Sequence, residues 1–162
     1  MTTQNNKSPI VKLNLPTATL RLGRPPGGDL VIFDPLRKKN VALTPEEWVR
    51  QNFVAFMTGH LGYPSSLMAN ETAIKLNDTL RRCDTVVYDL NARPLVIVEY
   101  KAPDIEITQN VFDQIVRYNM VLHARCLIVS NGMSHYCCLI DYEKSSYTFL
   151  TEVPRFDTLT SR

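Results

Sequence analysis

The apolar positions fall into short runs whose spacing changes from one run to the next, and the turn-forming clusters between them mark the elements. Residues 1 to 8 are polar and read as a frayed start. Up to residue 29, Pro16, Pro25, Pro26, Gly27 and Gly28 interrupt short apolar pieces, which predicts a partly irregular N-terminal arm over residues 1–29 ahead of a single domain over residues 30–162. Leu30 to Asp34, the turn-prone Asp34-Pro35 with basic Arg37-Lys38-Lys39, and Val41 to Leu43 predict a β-hairpin. Thr44-Pro45-Glu46-Glu47 is a helix start, with a threonine cap, proline at the first helical position and acids in the first turn. That helix is expected to run to about Thr58, with Val49, Phe53, Phe56 and Met57 on one face, before Gly59 to Pro64 stop it.

Three strands are predicted next, at about Ala69 to Leu76, Arg82 to Asp89 and Pro94 to Lys101. The last contains Leu95-Val96-Ile97-Val98, and a strand apolar on both faces belongs in the middle of a covered sheet. After Pro103, Thr108 can cap a helix to about His123 with Val111, Ile115, Tyr118 and Leu122 at helical spacing. Strands at Cys126 to Val129, Tyr136 to Ile140 and Tyr147 to Leu150 complete the pattern. The order defines an α/β fold: a mixed central β-sheet flanked by helices, with the N-terminal β-hairpin as an appended arm.

Composition narrows the function. With 162 residues, 44% hydrophobic and 21% charged, the chain suits one globular domain with its own core and is too short for a motor. No apolar run approaches the roughly 20 residues of a membrane-spanning helix. The start, MTTQNNKSPI, lacks the apolar core of an export signal, which leads us to expect a cytoplasmic protein. Cys83, Cys126, Cys137 and Cys138 lie in apolar runs without metal-ligand spacing, so they read as small buried hydrophobes. The three histidines show no paired ligand spacing either. A net charge of +2 permits a nucleic-acid partner without requiring one.

The candidate chemistry lies in Arg81 to Pro103. A hairpin centred between Asn91 and Ala92 places Asp84 opposite Glu99, and directly opposed side chains have Cβ atoms about 5 Å apart. The strand period of two then puts Lys101 on the same face as Glu99. Opposed carboxylates repel unless neutralised, and a natural partner for two hard oxygen donors is Mg²⁺. Two acids, a divalent cation and a lysine beside a phosphate are the parts of phosphodiester hydrolysis. A Glu-x-Lys alone is more often a solvated edge pair; closure of an apolar run and the opposed Asp84 set this one apart. On a helical wheel Glu46 lies nearer the apolar face of the first helix than Glu47 does, so Glu46 is the expected inward acid, with a plain helix-dipole role for both as the alternative. Arg37-Lys38-Lys39 and Arg81-Arg82 can contact phosphates or serve as solvated patches.

Across roughly residues 44 to 141 these features resemble the PD-(D/E)XK nuclease superfamily, and within it the N-terminal nuclease domain of type I restriction endonuclease R subunits. The resemblance is carried by Glu46, Asp84, Glu99-Tyr100-Lys101 and Gln114-x-x-x-Tyr118, with Cys83 standing where the superfamily name has proline. It implies a restriction-endonuclease-like αβββαβ core and Asp84 and Glu99 as metal ligands, joined by the Tyr100 carbonyl. It also implies Lys101 as the catalytic lysine, Glu46 as a further acid of the catalytic set, and Gln114 and Tyr118 as residues that organise the site and contact nucleic acid; the basic Arg82 is added to these as a phosphate contact on its charge alone. The expected activity is that of a Mg²⁺-dependent DNA endonuclease, with Mn²⁺ as a substitute ion. The chain carries no G-x-x-x-x-G-K-[ST], so no ATP-driven motor is expected in it, and helicase or translocase and specificity subunits are the implied partners. A homodimer would supply two sites for two strands. The alternative is a nucleic-acid-binding or assembly module that keeps the fold and is inactive without a partner.

Overall fold

The computed structural model describes residues 8–161, and the frayed start expected at the N-terminus falls, for residues 1–7, outside the described residues. A small antiparallel sheet comes first, in the order β1 (Leu22–Gly23), β2 (Val31–Asp34), β3 (Lys39–Ala42). The predicted hairpin is its β2–β3 pair, with Asp34 opposite Lys39. Asp34 builds the reversal, its carboxylate accepting the main-chain N–H of Leu36 at 2.7 Å and of Arg37 at 3.2 Å.

Helix α1 (Pro45–His60) starts where its sequence requires, with the Thr44 hydroxyl accepting the Glu47 N–H at 3.1 Å. The main sheet follows, with β4 (Met68–Leu76), β5 (Thr79–Tyr88) and β6 (Pro94–Tyr100) as antiparallel neighbours. Helix α2 (Gln109–Asn119) then carries the chain across to β7 (Cys126–Ser130), which runs parallel to β6. Strands β8 (His135–Asp141) and β9 (Ser146–Leu150) return as hairpins, and a short α3 (Phe156–Thr160) closes the described chain. The result is a six-stranded mixed sheet in the order β4-β5-β6-β7-β8-β9 with α1 and α2 packed against it.

Burial of β6 and β7 on both faces explains their continuous apolar runs. One core joins Val49, Phe53 and Met57 of α1 to Val96, Val98 and Ile128, while a second joins Phe112 and Val116 of α2 to Val86, Ile97 and Leu127. The face of α2 differs from expectation. Its buried positions are Phe112, Val116 and Asn119, and Tyr118 is exposed. A 3-10 turn over Met120–Leu122 changes the phase before Leu122, so Leu122 reaches the core without sharing a face with Tyr118. The four cysteines are free and buried, as expected. Among the described residues no helix is long and apolar enough to cross a membrane.

Candidate active site

The β5–β6 hairpin keeps the register the sequence predicts. Thr85 pairs with Val98, Val86 with Ile97 and Val87 with Val96, so the next position sets Asp84 against Glu99 where the ladder ends. An irregularity between Val87 and Tyr88 absorbs the difference between this register and the turn. Ile97 and Val86 belong to the core beneath α2, and alternation places Glu99 and Asp84 on that same side. Asp84 is also tied to the end of β6, its carboxylate accepting the Tyr100 N–H at 2.9 Å.

Glu99 is the electrostatically unusual member. Burial raises its pKa well above the ordinary carboxylate range, the adjoining Asp84 raises it further, and Lys101 partly offsets both. Its Oε1 is buried without a hydrogen-bond partner. The neighbouring Asp84 can share a bond with it only if one of the two carboxyls holds a proton. An orphaned carboxylate oxygen beside a second carboxylate suits a divalent cation, which would satisfy both. Among the described residues no three Asp, Glu, His or Cys side chains are gathered as a metal cluster, so the side-chain donors on offer are two. Lys101 is half-buried just past β6, and its own N–H donates to the Ser130 carbonyl at 2.9 Å, fixing its backbone to β7.

The helix acid requires a correction. Glu46 is exposed, and Glu47 is the buried one. The wheel weighs the angle to the apolar face alone and takes no account of buried polar partners, although both acids sit in the first turn. Glu47 is drawn inward by polar partners: Arg37 Nη2 at 2.5 Å, Gln51 Nε2 at 3.1 Å and Arg50 Nε at 3.1 Å.

Gln114 and Tyr118 lie on the exposed side of α2. The Tyr118 ring is faced by the Arg81 guanidinium at 4.4 Å, and its carbonyl accepts from Arg81 Nε at 3.0 Å. Among the described residues neither Gln114 nor Tyr118 hydrogen-bonds to Asp84, Glu99 or Lys101. Arg82 is exposed, 3.9 Å from Glu71, and with Lys39 it lines a cleft of about 770 Å³ between the small sheet, α1 and β4.

Several residues at the site carry no sequence signal. Glu71 lies between the ladder pairs Asn70–Thr85 and Thr72–Cys83, which sets it across from Asp84 on β4. Its backbone is left-handed, with φ at 50°. For a non-glycine that costs on the order of 1 kcal/mol and persists only where neighbours enforce it. Arg50 is buried beside it and donates from Nη2 to Glu71 Oε1 at 2.5 Å and from Nη1 to the Asp84 carbonyl at 3.0 Å. A second buried chain runs from Tyr100 Oη to Thr85 Oγ1, from Thr85 to Asn70 at 2.6 Å, and from Asn70 to Asp34 at 3.0 Å. Burial alone would raise the pKa of Asp34, yet the hydrogen bonds from Asn70, Arg37 and Leu36 outweigh it and hold the pKa below the ordinary value.

Fold and site together define a mixed α/β domain whose neighbouring strands β5 and β6 bring two opposed carboxylates, and a lysine just past β6, to one sheet end. Residues 45–154 match the family model described as "Type I restriction enzyme R protein N terminus (HSDR_N)". The chain belongs to that family, whose name places it, at family level, with restriction-type enzymes. Among solved structures it is similar to the fragment structure described as "a putative HsdR subunit of a type I restriction enzyme" from Vibrio vulnificus YJ016, at 17% identity and a TM-score of 0.49. That match covers 70% of this chain and 24% of the other, so the chain spans about a quarter of that protein's chain. No curated protein sequence matches it.

Proposed function

We propose that this domain is a divalent-cation-dependent DNA endonuclease of the PD-(D/E)XK type, acting with the other subunits of a restriction system. The observation that carries the reading is the carboxylate pair: Asp84 and Glu99 stand opposed at the end of a buried strand, with Lys101 beside them and Glu99 Oε1 left without a partner. A protein stores such repulsion where a cation or a proton is part of its working state.

Asp84 and Glu99 would hold Mg²⁺, or Mn²⁺ in its place, with the Tyr100 carbonyl as a further donor. Bound there, the ion would polarise a phosphodiester and favour a hydroxide nucleophile. Lys101 would orient the attacking water and stabilise negative charge building on the phosphate oxygens. Glu47, buried on α1, takes the place expected of Glu46 as the acid behind the pair. Lys39 and Arg82 line the cleft, where they can pair with backbone phosphates of DNA. Gln114 and Tyr118 present an amide and a ring on the exposed face of α2, suited to a further stretch of the same nucleic acid.

The test is nicking of supercoiled plasmid in Mg²⁺ or Mn²⁺ without ATP, wild type beside Lys101→Ala and Glu99→Ala. Loss of a charged transition-state contact should cost about 10² to 10³ in rate. Nicking that survives Lys101→Ala within twofold refutes the reading. DNA binding without nicking by the wild type would favour the binding or assembly module.

A further inference from the structure

Glu47 on α1, Glu71 on β4 and the Asp84–Glu99 pair lie on elements that meet near the β5–β6 strand end, and of these four acids only the pair is free of ion partners among the described residues. Glu47 pairs with Arg37 and Arg50, Glu71 with Arg50 and Arg82, while Asp84 and Glu99 make no ion pair. Arg50 is common to both paired acids. It is 5% exposed, so its contacts form out of bulk water, where charge pairing is strong. Its guanidinium faces three elements: Nη2 donates to Glu71 on β4, Nη1 donates to the main-chain carbonyl of Asp84 on β5, and Nε lies 3.1 Å from Glu47 Oε2 on α1 as an ion pair without a hydrogen bond. Its charge also lies over the Tyr100 ring, 5.7 Å from the centroid.

We propose that Arg50 is a positioning residue for the carboxylate pair: by binding Glu47, Glu71 and the Asp84 carbonyl at once, it fixes the Asp84 backbone and leaves the Asp84 and Glu99 carboxylates as the ones offered to a divalent cation. This rests on the metal-dependent reading above. Asp84 is thereby held from two sides, its carbonyl by Arg50 and its carboxylate by the Tyr100 N–H. The planar guanidinium holds its two terminal nitrogens on Glu71 and the Asp84 carbonyl at a fixed spacing while facing Glu47; a lysine ammonium keeps the charge and loses that geometry. Without the guanidinium, Glu71 has no buried counter-charge to hold its left-handed backbone opposite Asp84. Glu71, across from Asp84 on β4, would then compete with the pair for the same cation.

The experiment measures Mn²⁺ binding to the metal-free protein by calorimetry, together with kcat and KM for plasmid nicking and a thermal melt, for wild type, Arg50→Lys and Arg50→Gln. Outer residues that orient metal ligands typically contribute about 10- to 100-fold in affinity. We expect at least tenfold weaker Mn²⁺ binding in both variants and a fall in kcat exceeding any change in KM. Arg50→Lys should melt closer to wild type than Arg50→Gln while losing Mn²⁺ affinity all the same. Mn²⁺ affinity within about threefold of wild type in a folded Arg50 variant would overturn the proposal and leave Arg50 as a packing residue. If neither Arg50 variant folds, Glu71→Ala decides: it keeps Arg50 and removes one anchor, and unchanged Mn²⁺ affinity there would equally overturn the proposal. A wild type that binds no Mn²⁺ would instead defeat the metal-dependent reading itself, whereas loss confined to the variants supports both.

Discussion

Tyr100 Oη donates to Thr85 Oγ1 at 2.9 Å, so the residue between Glu99 and Lys101 is anchored through its ring on the α1 side of the sheet while its neighbours face the other way. Thr85 passes the contact to Asn70, and Asn70 to Asp34 in the small sheet. The strand end that carries the candidate chemistry is thereby tied to the β2–β3 turn.

Tyr100→Phe tests that tie. The variant loses one buried hydrogen bond and leaves Thr85 with its other partner, so unfolding free energy should fall by about 1 kcal/mol. A chemical denaturation curve with an unchanged slope measures it. No loss would mean that the ring's packing against Phe53 alone holds it.

The exchange of Glu46 for Glu47 makes a paired prediction. Glu46 is exposed, and Glu46→Ala should change stability by less than about 0.5 kcal/mol. Glu47→Ala takes one of two acids from Arg37 and one of two from Arg50 and leaves a buried void, and a loss of about 3 kcal/mol is expected. Thermal melts of the two variants should separate widely, and equal melts would contradict the burial of Glu47.

Asp34 and Glu99 give opposite pH dependences. The lowered pKa of Asp34 contributes stability that is present above the ordinary carboxylate pKa and lost as pH falls through the lower folded value. Asp34→Asn should therefore be most destabilising near neutrality, with the deficit shrinking in acid. Glu99, raised first by burial and then by Asp84, costs the metal-free fold stability as pH climbs from the ordinary carboxylate pKa toward its raised value. Glu99→Gln should gain on wild type across that climb and lose its advantage below it. Melting temperatures measured across pH in a chelator check both signs.

A divalent cation should reverse the Glu99 penalty. Mg²⁺ at tenfold excess over its dissociation constant stabilises the native state by about 1.4 kcal/mol, a rise of a few degrees in melting temperature for a domain of this size. Asp84→Asn keeps an oxygen for the Tyr100 N–H, so without metal it should melt at or above wild type while losing most of the Mg²⁺ shift. A full shift retained by Asp84→Asn would remove Asp84 from the cation's ligands.

The sequence foretold the parts governed by period and punctuation. Alternation along Arg82 to Lys101 gave the register that opposes Asp84 and Glu99, and it held although the turn itself is irregular. The Thr44 and Thr108 caps set both helix starts where expected. What stayed hidden depends on contacts between distant segments. Nothing in the spacing of Arg37, Arg50 and Glu71 announces that they meet around Glu47. An apolar-face argument also discards these residues at the outset, because they are charged. Helix α2 misled for a different reason: Phe112 and Val116 form one ridge and Val111 and Ile115 the next, and only the packing against β5 to β7 chooses between them. Helix α3 spans five residues, too few for a period to show.

The single parallel junction in the main sheet bears on the order in which the protein assembles. Every other neighbour pair in that sheet is a hairpin, closed by a short loop at small entropic cost, whereas β6 meets β7 only after α2 has crossed over. Asp84 and Glu99 are brought together by hairpin closure alone. The Lys101 backbone is fixed by the Ser130 carbonyl on β7, across the junction of higher closure cost. Loop closure therefore asks less of the chain to oppose its two acids than to seat the lysine beside them.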